Sequence, residues 1–341
     1  MSTSSRKADH IKINVERDVA AKGVGAGFDA YRFEHQALPE IDLADVDTSC
    51  DLLGKHLKAP ILISCMTGGT PEAQRINRTL AAVAHEFGLA MGLGSARALI
   101  ENPQSLETFD VRDEAPETLL LANLGAVQLN KGYGADECRR LVELLRADAL
   151  VLHLNALQEA LQPEGDTCFA GLLPRIARVC KHLGAPVVVK EVGWGIGPDT
   201  VLALLEAGVA AIDLAGAGGT SWSEVEAYRL PERWRENVAR EFAGWGIPTA
   251  SCVRRAREVA PGATLIASGG VRTGVDVAKA IALGANAAGI AGPFLRAADR
   301  SLDDARDFAR QLTEALRVAM FCIGARRVAD VRNSKRLHPA T

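Results

Sequence analysis

Aromatic residues are scarce, at 5% of the chain, so the sequence offers few platforms for stacking bases. An excess of one charge is also lacking. Lysine and arginine number 39 against 42 acidic residues, a net charge of −3, which is not the basic footprint of a nucleic-acid binder. No uninterrupted apolar run approaches the ~18 residues of a membrane-spanning helix. The first ten residues have no apolar core of the secretory kind. The seven cysteines, at positions 50, 65, 138, 168, 180, 252 and 322, are odd in number and contain no C-x-x-C pair. That pattern fits reduced thiols better than a disulfide framework. Neither zinc-ligand spacing nor a Ser-His-Asp order stands out. A cytoplasmic protein with no nucleic-acid or membrane partner is the expectation.

What is present is repetition. The 341 residues are 48% apolar, enough for one large α/β domain. From residue 59 onward, short apolar runs alternate with amphipathic segments. Eight runs read as buried parallel strands: 60–65, 89–93, 118–123, 149–154, 186–191, 210–214, 264–268 and 287–291. Helices are predicted over 71–87, 136–147, 171–183, 198–207, 252–260 and 274–283, with a weak one near 103–109 and a closing one over 302–323. Eight units of one kind point to a (β/α)8 TIM barrel. It forms a single domain over 1–341, with an N-terminal extension (1–58), the barrel (59–323) and a C-terminal tail (324–341). An inserted segment after strand six, 221–251, carries Trp222, Trp234 and Trp245 and is placed to cover the mouth as a lid.

Function in such a barrel sits where strands meet the following loops. After strands seven and eight, Gly269, Gly270, Ala291 and Gly292 leave the backbone bare, and Arg272 adds a charge. Bare turns with a cation suit a phosphate. Lys190 ends the apolar run that starts at Pro186, so its ammonium needs an anionic or carbonyl partner. His153 and Asn155 are two apart and share one face of strand four. His153 reads as a ligand or as a structural histidine, and Asn123 as a ligand or as a loop cap. Glu159 is a single carboxylate of the kind Mg²⁺ takes alongside phosphate and water. Arg6, Lys7 and His10 read either as a charged tail or, with Arg97 and a metal at Glu159, as the surround of a diphosphate. Gly193, Gly195 and Gly197 imitate a dinucleotide fingerprint, but Pro198 stands where its last glycine belongs. Gly23, Gly25 and Gly27 follow no strand.

These residues resemble the type 2, flavin-dependent isopentenyl-diphosphate Δ-isomerases. The resemblance runs through Arg6 to His10, Tyr31 to His35, Met66 to Gly69, Gly94 to Arg97, Asn123 to Ala126, His153 to Asn155 with Gln158 and Glu159, Lys190 to Gly193, Gly218 to Thr220, and Ser268 to Leu295. It implies interconversion of isopentenyl and dimethylallyl diphosphates in isoprenoid biosynthesis. The implied cofactors are FMN, NADPH as its reductant, and Mg²⁺, in a homotetramer or octamer.

By position, the resemblance implies FMN contacts from Cys65, Met66, Thr67, Gly68, Ser95, Asn123, Lys190 and Thr220. The FMN phosphate falls to Gly269, Gly270, Arg272, Ala291 and Gly292. The diphosphate falls to Arg6, Lys7, His10, Ser95, Arg97, His153, Asn155 and Gln158, and Mg²⁺ to Glu159. Reduced FMN is implied as the acid–base group, supported by Lys190, Gln158 and His153. The chain departs from the family pattern at Ala96, where a Gln is common, and at Ala156, where a Pro is common. Two other classes stay in view. A 2-hydroxy-acid oxidase needs a histidine after strand six, where this chain runs from Ala215 to Thr220 without one. A non-catalytic flavin or phosphate sensor is separated from an isomerase by turnover.

Overall fold

The computed structural model describes residues 3–332 and 334–340, with side chains from Lys7 onward. All eight predicted strands form. They are β1 (Ile61–Ile63), β2 (Ala90–Gly92), β3 (Leu120–Gly125), β4 (Ala149–Leu154), β5 (Val187–Glu191), β6 (Ala211–Asp213), β7 (Leu265–Ser268) and β8 (Ala287–Ile290). Every pairing is parallel, and β8 pairs β1 to close a TIM barrel.

Alternation along the strands sorts side chains between two surroundings. Ile61, Ile63, Leu120, Leu150, Leu152 and Val189 face the surrounding helices. Leu62, Ala90, Leu121, Val151, Val188, Ala211, Ile266 and Ala287 form one apolar layer inside the barrel. Leu52 and Leu57 join that layer. They belong to an antiparallel hairpin, Cys50–Leu52 with Lys55–Leu57, which plugs the barrel floor. Two residues further along each strand, the inward positions become Ser64, Gly92, Asn123, His153, Lys190, Asp213, Ser268 and Gly289. The barrel is therefore greasy below and polar at the mouth.

Helix bounds lie within three residues of those predicted, and the caps explain where they stop. Pro71–Phe87 starts on Thr70, whose side chain accepts from the Ala73 N–H, and ends on left-handed Gly88. The N-terminal extension holds a helix that the barrel repeat did not reveal, α1 (Thr3–Glu16). It forms because Ile11 and Val15 share one face that packs into the core, while Lys12, Glu16 and Arg17 face solvent. The alternative of a structureless charged tail at residues 6–10 is thus replaced by a docked helix. The predicted tail is also tied in, since Tyr31–Phe33 pairs antiparallel with Leu337–Pro339.

The segment after β6 folds as two helices, α2 (Trp222–Ala227) and α3 (Arg233–Glu241). Only part of it serves as the predicted lid. Trp222 lines the mouth, whereas Trp234 and Trp245 are 63% and 60% exposed on the outside. The short span of α2 meets the mouth, and α3 leads away from it. Among the described residues, no helix is long and apolar enough to cross a membrane.

Candidate active site

A cavity of about 600 Å³ opens at the strand C-termini, within the ~300–1,000 Å³ range of small-molecule sites. Its wall brings together nearly every predicted residue: Lys7, His10, Cys65, Met66, Thr67, Ser95, Arg97, Asn123, His153, Asn155, Gln158, Glu159, Lys190, Thr220, Gly269, Gly270, Arg272, Ala291 and Gly292. Gly68 stands apart, because a Cβ there would fall 1.9 Å from the Phe109 ring, so its smallness serves packing. The Arg6 side chain lies outside the described residues.

The floor of the cavity is a charged pair. Lys190 Nζ lies 3.1 Å from Asp213 Oδ2 and 3.3 Å from Ser268 Oγ, and the Ser268 hydroxyl donates to Asp213 Oδ1. Lys190 thus has the partner its apolar run required, and Asp213 is a site residue that motif reading missed. The signal was available: Asp213 is two residues beyond inward-facing Ala211. Beside this pair, Asn123 Oδ1 accepts from His153 Nδ1 at 2.8 Å, so each orients the other. The neighbouring Cys65 thiol is pushed up to about 11 by burial, which keeps it protonated.

On the β4 side the groups interlock. Asn155 Nδ2 donates to Gln158 Oε1 at 3.2 Å and to Glu159 Oε1 at 2.8 Å. Glu159 Oε2 accepts the Asp166 N–H at 2.6 Å. Gln158 Nε2 donates to Glu226 Oε1 at 2.9 Å, and His10 Nε2 donates to the same oxygen at 3.0 Å. Burial opposes ionisation of Glu226, but hydrogen bonds from His10 and Gln158 and the charges of His10 and Arg229 hold it below the usual carboxylate range. His10 also meets the Trp222 ring edge-on at 5.1 Å. Glu226 therefore joins α1, α2 and the short helix after β4, Ala156–Leu161. No sequence motif announced it, because its partners lie far away in the chain.

Two cations complete that side. Lys7 Nζ donates to the Ser95 carbonyl at 2.7 Å and lies 5.0 Å from the Phe109 ring centre. Arg97 pairs with Glu101 at 2.6 Å and Asp166 at 3.4 Å. Among the described residues, no three acidic, histidine or cysteine groups cluster as a metal cage. A cation at Glu159 would draw its remaining ligands from water and substrate. Each Glu159 oxygen keeps a lone pair for that purpose. Ala96 is fully buried and donates its N–H to the Asn123 carbonyl at 2.7 Å. Ala156 opens the helix Ala156–Leu161.

The opposite wall is glycine. Gly269 and Gly270 have φ of 95° and 77°. A Cβ at Gly269 would stand 1.9 Å from the Gly216 carbonyl, and one at Gly270 would stand 2.6 Å from that of Gly218. Only glycine permits two loops to approach this closely. The decoys find their explanation here too. Gly218 is pressed against Ala26, where a Cβ would come within 2.0 Å of the Ala26 nitrogen. The N–H groups of Val192, Gly193, Trp194 and Gly195 all point to Glu191 Oε2, at 2.5–3.2 Å. That nest is filled by the chain's own carboxyl group, so it binds no dinucleotide.

A bare turn with a cation at one end, a polar middle and a cationic far end fit FMN beside a second anion. Buried Ser64 Oγ faces this cavity without a hydrogen-bond partner among the described residues, as expected of a wall built for a polar ligand.

Comparison with known proteins agrees. The FMN-dependent dehydrogenase family model matches residues 2–107 and 160–338. The isopentenyl-diphosphate delta-isomerase of Nostoc sp. is 51% identical over 332 residues, covering 97% of this chain and 95% of that protein. Those of Synechococcus sp. and Rickettsia bellii are 50% and 48% identical, covering 99% and 97% of this chain and 97% and 96% of theirs. Among solved structures, a flavocytochrome b2 mutant with benzoylformate superposes with a TM-score of 0.69 at 18% identity, over 99% of this chain and 79% of that one. A mandelate oxidase mutant with (S)-mandelic acid gives 0.66 at 18%, over 97% and 93%. Such distant neighbours speak for the fold alone. The full-length likeness, with an FMN-type barrel, makes this chain a member of the type 2, FMN-dependent isopentenyl-diphosphate delta-isomerases.

Proposed function

We propose that this enzyme converts isopentenyl diphosphate to dimethylallyl diphosphate by a 1,3-allylic proton shift, with FMN held reduced by NADPH and with Mg²⁺ on the diphosphate. One proton is added at the terminal alkene carbon and one is removed from the carbon beside the CH₂O group, so the reaction has no net redox change. The observation that carries this reading is a single cavity with two anion-accepting ends. The glycine turns with Arg272 form one end, and Lys7, Arg97 and Glu159 form the other.

An alkene is a weak base, so the reaction needs a placed acid and exclusion of water. When bound, reduced FMN supplies that acid–base chemistry. Lys190 would stand against the flavin ring and stabilise negative charge there, while Asp213 keeps its ammonium fixed. Ser95, Asn123, Thr220 and residues 65–67 would hold the flavin. Glu159 would take Mg²⁺, with Lys7, Arg97, His153, Asn155 and Gln158 around the diphosphate, and Arg6 added from α1. His10 and Trp222, in edge-on contact at the cavity wall, would cover them. The reading includes a cytoplasmic homotetramer or octamer, which light scattering tests.

The deciding experiment follows dimethylallyl diphosphate formation with FMN, NADPH and Mg²⁺ under anaerobic conditions. Unchanged turnover by flavin-free protein would falsify the reading.

A further inference from the structure

Arg296 was not among the residues that motif or resemblance singled out, yet it lines the cavity. It lies one turn into the helix Gly292–Arg300, and its Nη1 is 3.2 Å from where a Cβ on Gly292 would stand. The bare turn after β8 therefore has a guanidinium directly against it. Among the described residues, no group of the fold answers that charge: Arg296 has no hydrogen-bond acceptor and no carboxylate partner. Its charged neighbours are Arg272 and Arg300, and burial followed by those two charges lowers its pKa. Arg272 reaches in from the turn after β7, with Nη2 on the Gly218 carbonyl at 3.3 Å.

A guanidinium that faces other cations on a ligand-cavity wall, with no counter-ion of its own, is unfavourable until an anion arrives. The position narrows the choice of anion. Arg296 belongs to the glycine-turn end, where missing Cβ atoms let backbone N–H groups approach a small group. Glu159, the carboxylate proposed for Mg²⁺, belongs to the helix Ala156–Leu161 that follows β4. A terminal phosphate monoester fits the glycine end, since a guanidinium offers a planar pair of donors to two phosphate oxygens.

We propose that Arg296 is a second phosphate-binding arginine, closing with Arg272 on the phosphate monoester of FMN. The inference rests on the flavin reading above. It requires Arg296 to distinguish FMN from riboflavin, which has the same ring and ribityl chain but no phosphate. A merely structural role affects both flavins alike.

The test titrates flavin-free full-length protein with FMN and with riboflavin, following flavin fluorescence. In Arg296→Gln, FMN binding should weaken by about tenfold or more, the worth of a charge-assisted hydrogen bond, with riboflavin binding unchanged. Arg296→Lys, which keeps the charge but not the planar fork, should fall between. Unchanged FMN affinity, or equal loss for both flavins, overturns the proposal. If Arg296→Gln does not fold, the FMN-to-riboflavin ratio in Arg296→Lys decides by the same criterion. Turnover of the FMN-loaded wild type is a separate readout. Protein that binds FMN through Arg296 but forms no dimethylallyl diphosphate refutes the proposed function and leaves this inference standing.

Discussion

Lys190 and Asp213 are register partners on adjacent strands, and their side chains meet at 3.1 Å inside the barrel. Neither charge is stable there alone. Lys190 is 8% exposed and Asp213 is 1% exposed. The ammonium that the proposed function sets against the flavin is therefore fixed by a carboxylate one strand away.

Asp213→Ala should destabilise the fold by about 3–5 kcal/mol, because it leaves the Lys190 cation buried without its partner. Urea unfolding measures this. Asp213→Asn keeps the shape and the Ser268 hydrogen bond, so it should lose less stability. A change below about 1 kcal/mol in the alanine variant, the range of exposed ion pairs, would show that Lys190 is held by something else.

Glu226→Gln should release α1 from the mouth. The exchanged group loses charge-assisted hydrogen bonds of about 1.5–3 kcal/mol each, so amide hydrogens in α1 should exchange faster. The pH dependence has a fixed sign. The folded-state pKa of Glu226 is lowered, so its contribution is full above the unfolded value near ~4.3 and is lost as pH falls through the folded value. The stability gap between wild type and variant should narrow on acidification below about pH 4. A gap that widens there contradicts the assignment.

Glu159→Gln should raise the Mg²⁺ concentration needed for half-maximal turnover by about tenfold or more, as expected for disturbed metal ligation. The hydrogen bonds from Asn155 and the Asp166 N–H can be kept by the amide oxygen of one rotamer only in part. An unaltered Mg²⁺ dependence removes Glu159 from the metal.

Gly269→Ala combines a φ of 95° with a Cβ 1.9 Å from the Gly216 carbonyl. Strain of about 1–3 kcal/mol is expected from the backbone alone, with loss of FMN affinity as the turns move apart. Denaturant unfolding and flavin fluorescence read the two effects. An alanine variant that binds FMN normally would show that the turns need not touch.

Much of the molecule was legible in the chain. Strand positions followed from apolar runs, and helix ends followed from Pro71, Pro198, Gly88 and their like, because both signals are local. His153, Asn155, Lys190 and the glycine turns could be picked out because barrel strands deliver their last inward residue to a known place. Helix α1 was written in Ile11 and Val15, but its reading depended on knowing that a barrel lay beneath that face.

By itself, the sequence determined the eight-unit barrel, the phosphate-type turns and the family, since each rests on periodicity or on short contiguous motifs. Only the tertiary structure decided which charges meet. Asp213 under Lys190, Glu226 between His10 and Gln158, and Arg296 against Gly292 are pairings across strands and helices. Electrostatics falls off with distance in space, whereas a sequence records distance along the chain.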